Sequence, residues 1–249
     1  MRLFGLILLF VLVFVGVAIA TMPLSFALKR ANLNASGIVW TQASGTIGKG
    51  VISGLQVGAQ PIGNVDLKLR WRSLLTAKLA YVVDWSGAVG RGHGELVLGR
   101  NVIDLFDLST EVPVSQLVGL SDELRRNGGS ARISGAQIRF VNAICDAASG
   151  DVSTDTVSRL AQSYGQSASP LRGTFRCDGP MLTLPLTGTS ATGETLAATL
   201  RVGTAEVSSM AARVETENPE FAAILALQGF QPEAGGYVYR RETWIGGQR

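Results

Sequence analysis

Hydrophobic and polar residues alternate along several short segments of the chain. From Asn64 to Arg72, Val65, Leu67, Leu69 and Trp71 occupy every second position and charged residues fill the positions between. The segment from Leu79 to Trp85 repeats this pattern. A period of two residues is typical of a β-strand with one face buried and one in water. The pattern therefore predicts two strands here, with Trp71 on the apolar face of the first.

Other segments also have the composition of strands and are separated by short turns. They are Glu95–Leu98, Val102–Glu111, Ala131–Ala143, Leu171–Arg176, Met181–Leu186, Leu196–Val202, Ala205–Glu215 and Tyr237–Trp244. Because the linkers are short, we expect neighbouring strands to pair antiparallel. Two similar segments, Ala35–Trp40 and Ala43–Gly48, predict a further hairpin.

About three short helices interrupt the strands. The first is predicted over Val114–Arg126 and ends at a pair of glycines. The second carries apolar residues from Val157 to Tyr164 at helical spacing, with Ser153 or Asp155 as its N-cap. The third has Asn218 as N-cap and proline at its first position. The sequence therefore predicts a mainly β fold with a minor helical part.

The amino-terminal segment is strongly apolar from Leu3 to Ala20. About 20 residues of helix span a bilayer, so this length favours an uncleaved transmembrane anchor over residues 1–24, followed by one domain over 25–249. Ala18-Ile19-Ala20 also has the form of a signal-peptidase site, which leaves a cleaved signal peptide as the alternative. The flanking charges, Arg2 against Lys29 and Arg30, leave the orientation open.

The composition narrows the class of protein. Charged residues are only 16% of the chain and hydrophobic residues 46%, which excludes an intrinsically disordered protein. The 30 glycines fit a fold of short strands and many turns. The net charge is +3, and the 22 basic residues are scattered without a dense run, so no nucleic-acid partner is expected.

Cys145 and Cys177 are the only cysteines. An even number of cysteines behind an export segment predicts a disulfide, which would place the domain in the periplasm or an equivalent compartment. Two free buried thiols in a cytoplasmic domain are the alternative.

No catalytic, cofactor or metal site is predicted, and the chain is not expected to be an enzyme. The sequence lacks a G-x-S-x-G nucleophile elbow and a Walker loop. His93 lies in a glycine-rich segment that is typical of a turn, and Asp104 and Asp107 are expected to face solvent or a turn. Most of the four tryptophans are expected in the core, but Trp40 and Trp244 near strand ends are candidate contacts for a protein partner.

The order of several motifs resembles the protein N family of the type II secretion system. These motifs are Ser44-Gly45-Thr46-Ile47, Pro61-Ile62-Gly63-Asn64-Val65, Leu74-Leu75-Thr76-Ala77-Lys78-Leu79, Leu227-Gln228-Gly229-Phe230 and Gly235-Gly236-Tyr237. The cysteine pair is similar to the family's pair. The chain departs from the family at Gly48, where tryptophan is usual, and at Ala77, where glycine is usual.

The resemblance implies a single-pass inner-membrane protein with a cytoplasmic amino terminus and a periplasmic β-rich domain. Such a protein is an accessory of the machinery that exports folded proteins across the outer membrane, and its partners are other secretion subunits. The family is also similar to envelope proteins of the AsmA kind, which implies a curved antiparallel sheet. The alternative function is therefore the handling of a lipid ligand in an apolar groove of that sheet.

Overall fold

The fold is built on one antiparallel sheet. The computed structural model describes residues 10, 14, 21–30, 37–76, 78–117, 122–190, 193–203, 207–216, 218–227 and 229–244. Within these residues the sheet has 16 strands. They are β1 Ile38–Val39, β2 Gln42–Gly45, β3 Lys49–Val57, β4 Gln60–Leu69, β5 Leu79–Gly87, β6 Gly90–Gly99, β7 Val102–Pro113, β8 Ser130–Val141, β9 Ile144–Thr154, β10 Leu171–Thr174, β11 Arg176–Asp178, β12 Met181–Thr189, β13 Thr195–Val202, β14 Val207–Glu215, β15 Gln231–Glu233 and β16 Gly236–Trp244.

The strands follow one another across the sheet nearly in chain order. The sequence of neighbours is β1, β3 to β10, β12 to β14, β16 and β15, while β2 pairs with β3 and β11 with β12. Tight turns make these connections possible. At the β6–β7 turn, Asn101 has a φ of 59°, a left-handed conformation that asparagine tolerates better than most residues. The predicted antiparallel pairing of neighbouring strands is confirmed.

The predicted hairpin between the two similar amino-terminal segments is wrong. Both β1 and β2 pair with β3, where Ile38 lies opposite Val57 and Gln42 opposite Ser53. Together they form one interrupted edge strand. Its break lies at Thr41, opposite Gly54. The φ of Gly54 is 65°, and a Cβ atom there would overlap the Thr41 hydroxyl.

The alternation predicted for the first strand holds only as far as Leu69. Val65 and Leu69 are buried and the intervening Asp66 and Lys68 are exposed. The chain then leaves the sheet, because a 3₁₀ helix occupies Trp71–Thr76. Trp71 is 54% exposed, so its predicted place on the apolar face is wrong.

Four α-helices are described: α1 Leu24–Arg30, α2 Asp122–Asn127, α3 Thr156–Ser163 and α4 Pro219–Leu227. The second and third predicted helices are confirmed as α3 and α4. The first is shorter than predicted, because residues 114–116 form a 3₁₀ turn and only α2 is α-helical within the described part of that segment.

Asp155 joins the start of α3 to the start of β8. Its carboxylate accepts a hydrogen bond from the Ser130 N–H at 2.6 Å and pairs with Arg159 at 2.8 Å. Burial alone would raise the pKa of Asp155, but the hydrogen bonds from Ser130 and Arg159 and the charge of Arg159 outweigh it and lower the pKa.

The predicted disulfide is present. Cys145 lies in β9, which was not predicted as a strand, and Cys177 lies in β11. The Cα atoms are 5.5 Å apart, and the Cys145 N–H donates to the Pro180 carbonyl at 3.1 Å. The bond therefore fastens β11 to β9 where the two strands share no ladder of hydrogen bonds in the described sheet.

The predicted anchor lies almost entirely outside the described residues. Phe10 and Phe14 are described; both are helical and their rings are 6.3 Å apart, one helical turn from each other. In the described ranges, none of the helices has the length and apolar character needed to cross a bilayer.

Candidate functional site: the apolar face of the sheet

Cross-strand pairing assembles one continuous apolar face. Residues directly opposite each other in an antiparallel pair point to the same side of the sheet. Val65 lies opposite Trp85, Leu105 opposite Ile138, and Leu184 opposite Leu200, so each strand adds to the same side. Its members include Val65, Leu67, Leu69, Tyr81, Val83, Trp85, Leu96, Leu98, Ile103, Leu105, Ile138, Phe140, Leu171, Leu182, Leu184, Leu186, Leu196, Leu200, Met210, Val214, Tyr237 and Tyr239.

Structure outside the ladders covers each end of this apolar face. At the amino-terminal end, Leu24 of α1 is buried against Ile52 and Val65. At the carboxy-terminal end, the ring of Phe230, which follows α4, lies 5.5 Å from the ring of Tyr239. The remaining strands of the apolar face lie between these two ends.

The middle of the apolar face contains both buried and exposed side chains. Ile138, Leu171 and Leu184 are buried, whereas Ile103 is 45% exposed and Leu200 is also exposed. A packed core would bury all of these side chains, because each exposed apolar group forgoes the free energy of leaving water. The apolar face is therefore only partly covered in the described structure.

Tyr81 is a partly buried, titratable residue of the apolar face. Burial raises the pKa of its phenol, because the low-dielectric surroundings disfavour the charged form. The side chain lies opposite Leu69 and Leu96 in the two neighbouring strands.

The opposite face carries cross-strand ion pairs. Lys68 pairs with Asp84 at 3.6 Å, and Arg70 with Glu95 at 2.9 Å. Further pairs of this kind are Glu111 with Arg132 and Asp178 with Arg201. Exposed pairs contribute little to stability, but they keep this face compatible with water.

Asp104 is an exception on the polar face. Its side chain is buried, with the residue only 3% exposed, and the Arg139 Nε atom donates to its carboxylate at 2.6 Å. This hydrogen bond raises the pKa of Arg139. The prediction that Asp104 faces solvent or a turn is wrong, because Arg139 in the neighbouring strand supplies the charge that a buried carboxylate needs.

His93 lies in strand β6 and not in the predicted turn. In register it is flanked by Asp84 and Ser109, which places the three residue types of a nucleophilic triad side by side. However, Asp84 pairs with Lys68, and the Ser109 hydroxyl accepts a hydrogen bond from the Gly135 N–H at 3.1 Å. Because of these partners, Asp84, His93 and Ser109 have a structural role in the polar face. The described residues also hold no cluster of three metal-ligating side chains.

The two tryptophans predicted to contact a partner are far apart in the strand order. Trp40 lies in the break between β1 and β2, is half-buried and packs beside the Leu24–Ile52–Val65 cluster. Trp244 ends β16, opposite Val207, and its side chain lies outside the described part of the chain. The structure does not bring the two residues together, and their role in binding stays a prediction.

Sequence reasoning identified the apolar faces of single strands but missed the continuous surface. The signal that could have revealed it is that apolar residues occupy alternate positions in consecutive strands, so that strand pairing can bring them to the same side of the sheet. Leu96 and Ile103, for example, come from two strands joined by the short turn at 100–101. Short hairpin connections constrain the register and therefore which faces coincide.

These features define a class of protein: an antiparallel β meander with one polar face and one extended apolar face. A sequence model of the family "type II secretion system (T2SS), protein N" matches residues 36–240, about four-fifths of the chain. The chain therefore belongs to the type II secretion system protein N family, which confirms the resemblance. Neither the curated proteins nor the solved structures contain a significant match to the chain.

Proposed function

We propose that this chain is a non-catalytic accessory subunit of the type II secretion system. Membership of the protein N family carries the proposal. The apolar segment Leu3–Ala20 attaches the chain to the inner membrane with the amino terminus in the cytoplasm, and the sheet, against which Leu24 of α1 packs, forms the periplasmic domain. Other secretion subunits bind this domain and together they support export of folded proteins across the outer membrane.

The apolar face is the surface that we assign to partner binding. Ile103 and Leu200 are exposed on strands far apart in the sheet, which gives a partner an extended contact region. A protein partner that buries these side chains would gain roughly 25 cal/mol for each Å² of apolar surface removed from water. The polar face, in contrast, already has its charges paired across strands.

The experiment that tests this role is deletion and complementation in the native host. Deletion is expected to leave the secreted proteins in the periplasm, and the wild-type chain to restore them to the medium. The Leu200→Glu variant is expected to restore secretion poorly, because it places a charge on the apolar face. Thr199→Glu adds the same charge on the other face of β13 and serves as the matched control. Normal secretion after deletion would refute the proposal.

The second candidate function is the handling of lipid on the same apolar face. The exposed aliphatic side chains and the raised pKa of Tyr81 favour it, because acyl chains require an apolar, low-dielectric surface. A photo-reactive amino acid at position 103 or 200 would distinguish the two functions in intact cells. Adducts with a secretion subunit support the first function, and adducts with the mass of a phospholipid support the second. The same group at position 199 provides the control.

A further inference from the structure

The basic residues are segregated along the chain. Residues 21–80 contain all four lysines and three arginines but a single acidic residue, Asp66. The chain after residue 80 has more acidic than basic residues. The modest net charge of +3 therefore conceals a basic region directly after the predicted anchor.

Backbone hydrogen bonds bring three parts of this region together: the start of the described chain, the turn at 46–49 and the end of β4. The Ile47 N–H donates to the Met22 carbonyl at 3.0 Å, and the Leu69 N–H donates to the Gly48 carbonyl at 2.9 Å. We call the assembly of α1, the turn at 46–49 and the segment at 70–78 the proximal end. It is the end at which the chain enters the sheet from the predicted anchor.

Several cations of the proximal end lack acidic partners. Lys68 and Arg70 pair with Asp84 and Glu95. Five further cations are exposed and make no ion pair with any described residue: Lys29, Arg30, Lys49, Arg72 and Lys78. These five cations have no acidic partner among the described residues, so an anionic partner would supply the missing opposite charge.

Exposed hydrophobic side chains lie among these cations. Phe26 of α1 is 57% exposed, Trp71 is 54% exposed and Leu74 is 37% exposed. The backbone around them is fixed, since the Phe26 N–H donates to Pro23 and the 3₁₀ helix is closed onto β5 through the hydrogen bond from Arg70 to Ala80. Tryptophan, phenylalanine and basic residues together are typical of surfaces that lie at the lipid headgroups.

We propose that the proximal end of the sheet binds the surface of a bilayer that contains anionic phospholipids. Lys29, Arg30, Lys49, Arg72 and Lys78 contact the headgroups, and Phe26, Trp71 and Leu74 enter the interface between headgroups and acyl chains. The position of Thr21 and Met22 supports this partner, because the chain leaves the proximal end directly into the predicted anchor. The contact fixes the orientation of the sheet relative to the membrane, independently of any role in secretion.

Lysine acetylation of the full chain in lipid nanodiscs tests this contact. All four lysines lie in the basic region, so each one reports on it. In nanodiscs with about a third phosphatidylglycerol, Lys29, Lys49 and Lys78 are expected to react about threefold more slowly than in pure phosphatidylcholine. At about 0.5 M NaCl this difference is expected to disappear. Each lysine in pure phosphatidylcholine is its own reference, and Lys68, which is paired with Asp84, is expected to change less than the other three.

Two variants distinguish binding to the bilayer from binding to another partner. Trp71→Ser is expected to restore at least half of the lost reactivity of Lys78 in anionic nanodiscs. Tyr164→Ser replaces another exposed aromatic residue at the end of α3 and is expected to change nothing. Equal reactivity in both lipid compositions at low salt would overturn the proposal. So would protection that persists at high salt, since another part of the protein would then cover the proximal end.

Discussion

At the scale of single residues, close strand packing makes one glycine indispensable. A Cβ atom at Gly173 in β10 would overlap the carbonyl oxygen of Pro185 in β12. The conformation of Gly173 is not left-handed, so space alone excludes a side chain there.

The Gly173→Ala substitution is expected to lower the free energy of unfolding by about 2 kcal/mol, because the added methyl group forces β10 and β12 apart. Urea denaturation measures this loss. Gly99→Ala is the matched control, since its Cβ atom would come no closer than 3.6 Å to Val102. Equal stability of the two variants would mean that β10 and β12 are not packed as described.

Asp155 makes the stability depend on pH. Its pKa is lowered in the folded protein, so its contribution is present above the unfolded-state pKa of about 3.9 and is lost as the pH falls through the lower folded-state value. Asp155→Asn can keep an acceptor for the Ser130 N–H but loses the charge that faces Arg159.

Wild type is therefore expected to be more stable than Asp155→Asn near neutral pH, with the difference shrinking below about pH 4. Urea denaturation at several pH values measures this difference in the free energy of unfolding. A difference that stays constant down to the most acidic pH would contradict the assignment.

At the scale of elements, the disulfide holds together a part of the sheet where hydrogen bonding is interrupted. It links residues 32 apart in sequence, across β9 and β11. Replacing both Cys145 and Cys177 with serine is expected to lower the free energy of unfolding by about 3–4 kcal/mol in the chain-entropy account. Urea denaturation of oxidised protein and of the variant measures it. Wild type in reductant should match the variant; if reduced and oxidised wild type are equally stable, the bond does not constrain the fold.

The strands differ in how far their sequences predict them. From Val65 to Leu69 in β4, apolar and charged residues alternate strictly, so local pattern and final burial agree. In β9, by contrast, small and polar residues dominate, and the segment becomes a strand because β8 and β10 pair with it on both sides. Trp71 fails for a related reason: the periodic pattern continues, but the Ser73 N–H and hydroxyl both donate to the Arg70 carbonyl and close a 3₁₀ turn that takes the chain out of the sheet.

At the scale of the whole molecule, the apolar face depends on information that no single segment contains. Leu105 and Ile138 reach the same face only because their strands pair in one particular register, and bulges shift that register on both sides of β7. The alternation within a strand predicts an apolar face, but not the face to which the next strand contributes. The basic proximal end likewise requires the actual path of the chain, since its cations are separated by up to 49 positions between Lys29 and Lys78.

The order of the strands also determines how this chain can acquire its structure during synthesis. Because almost every strand pairs with the strand just before it, each pairing needs only neighbouring segments of the chain, and folding need not wait for the carboxy terminus. Each hairpin can add to the growing edge as it emerges, in the direction of translation. Cys145 is exceptional, since its partner emerges only after α3 and β10 have been made. Until then its thiol is free and can pair only with a thiol outside this chain, which makes this step the one at which a thiol oxidoreductase would be of greatest use.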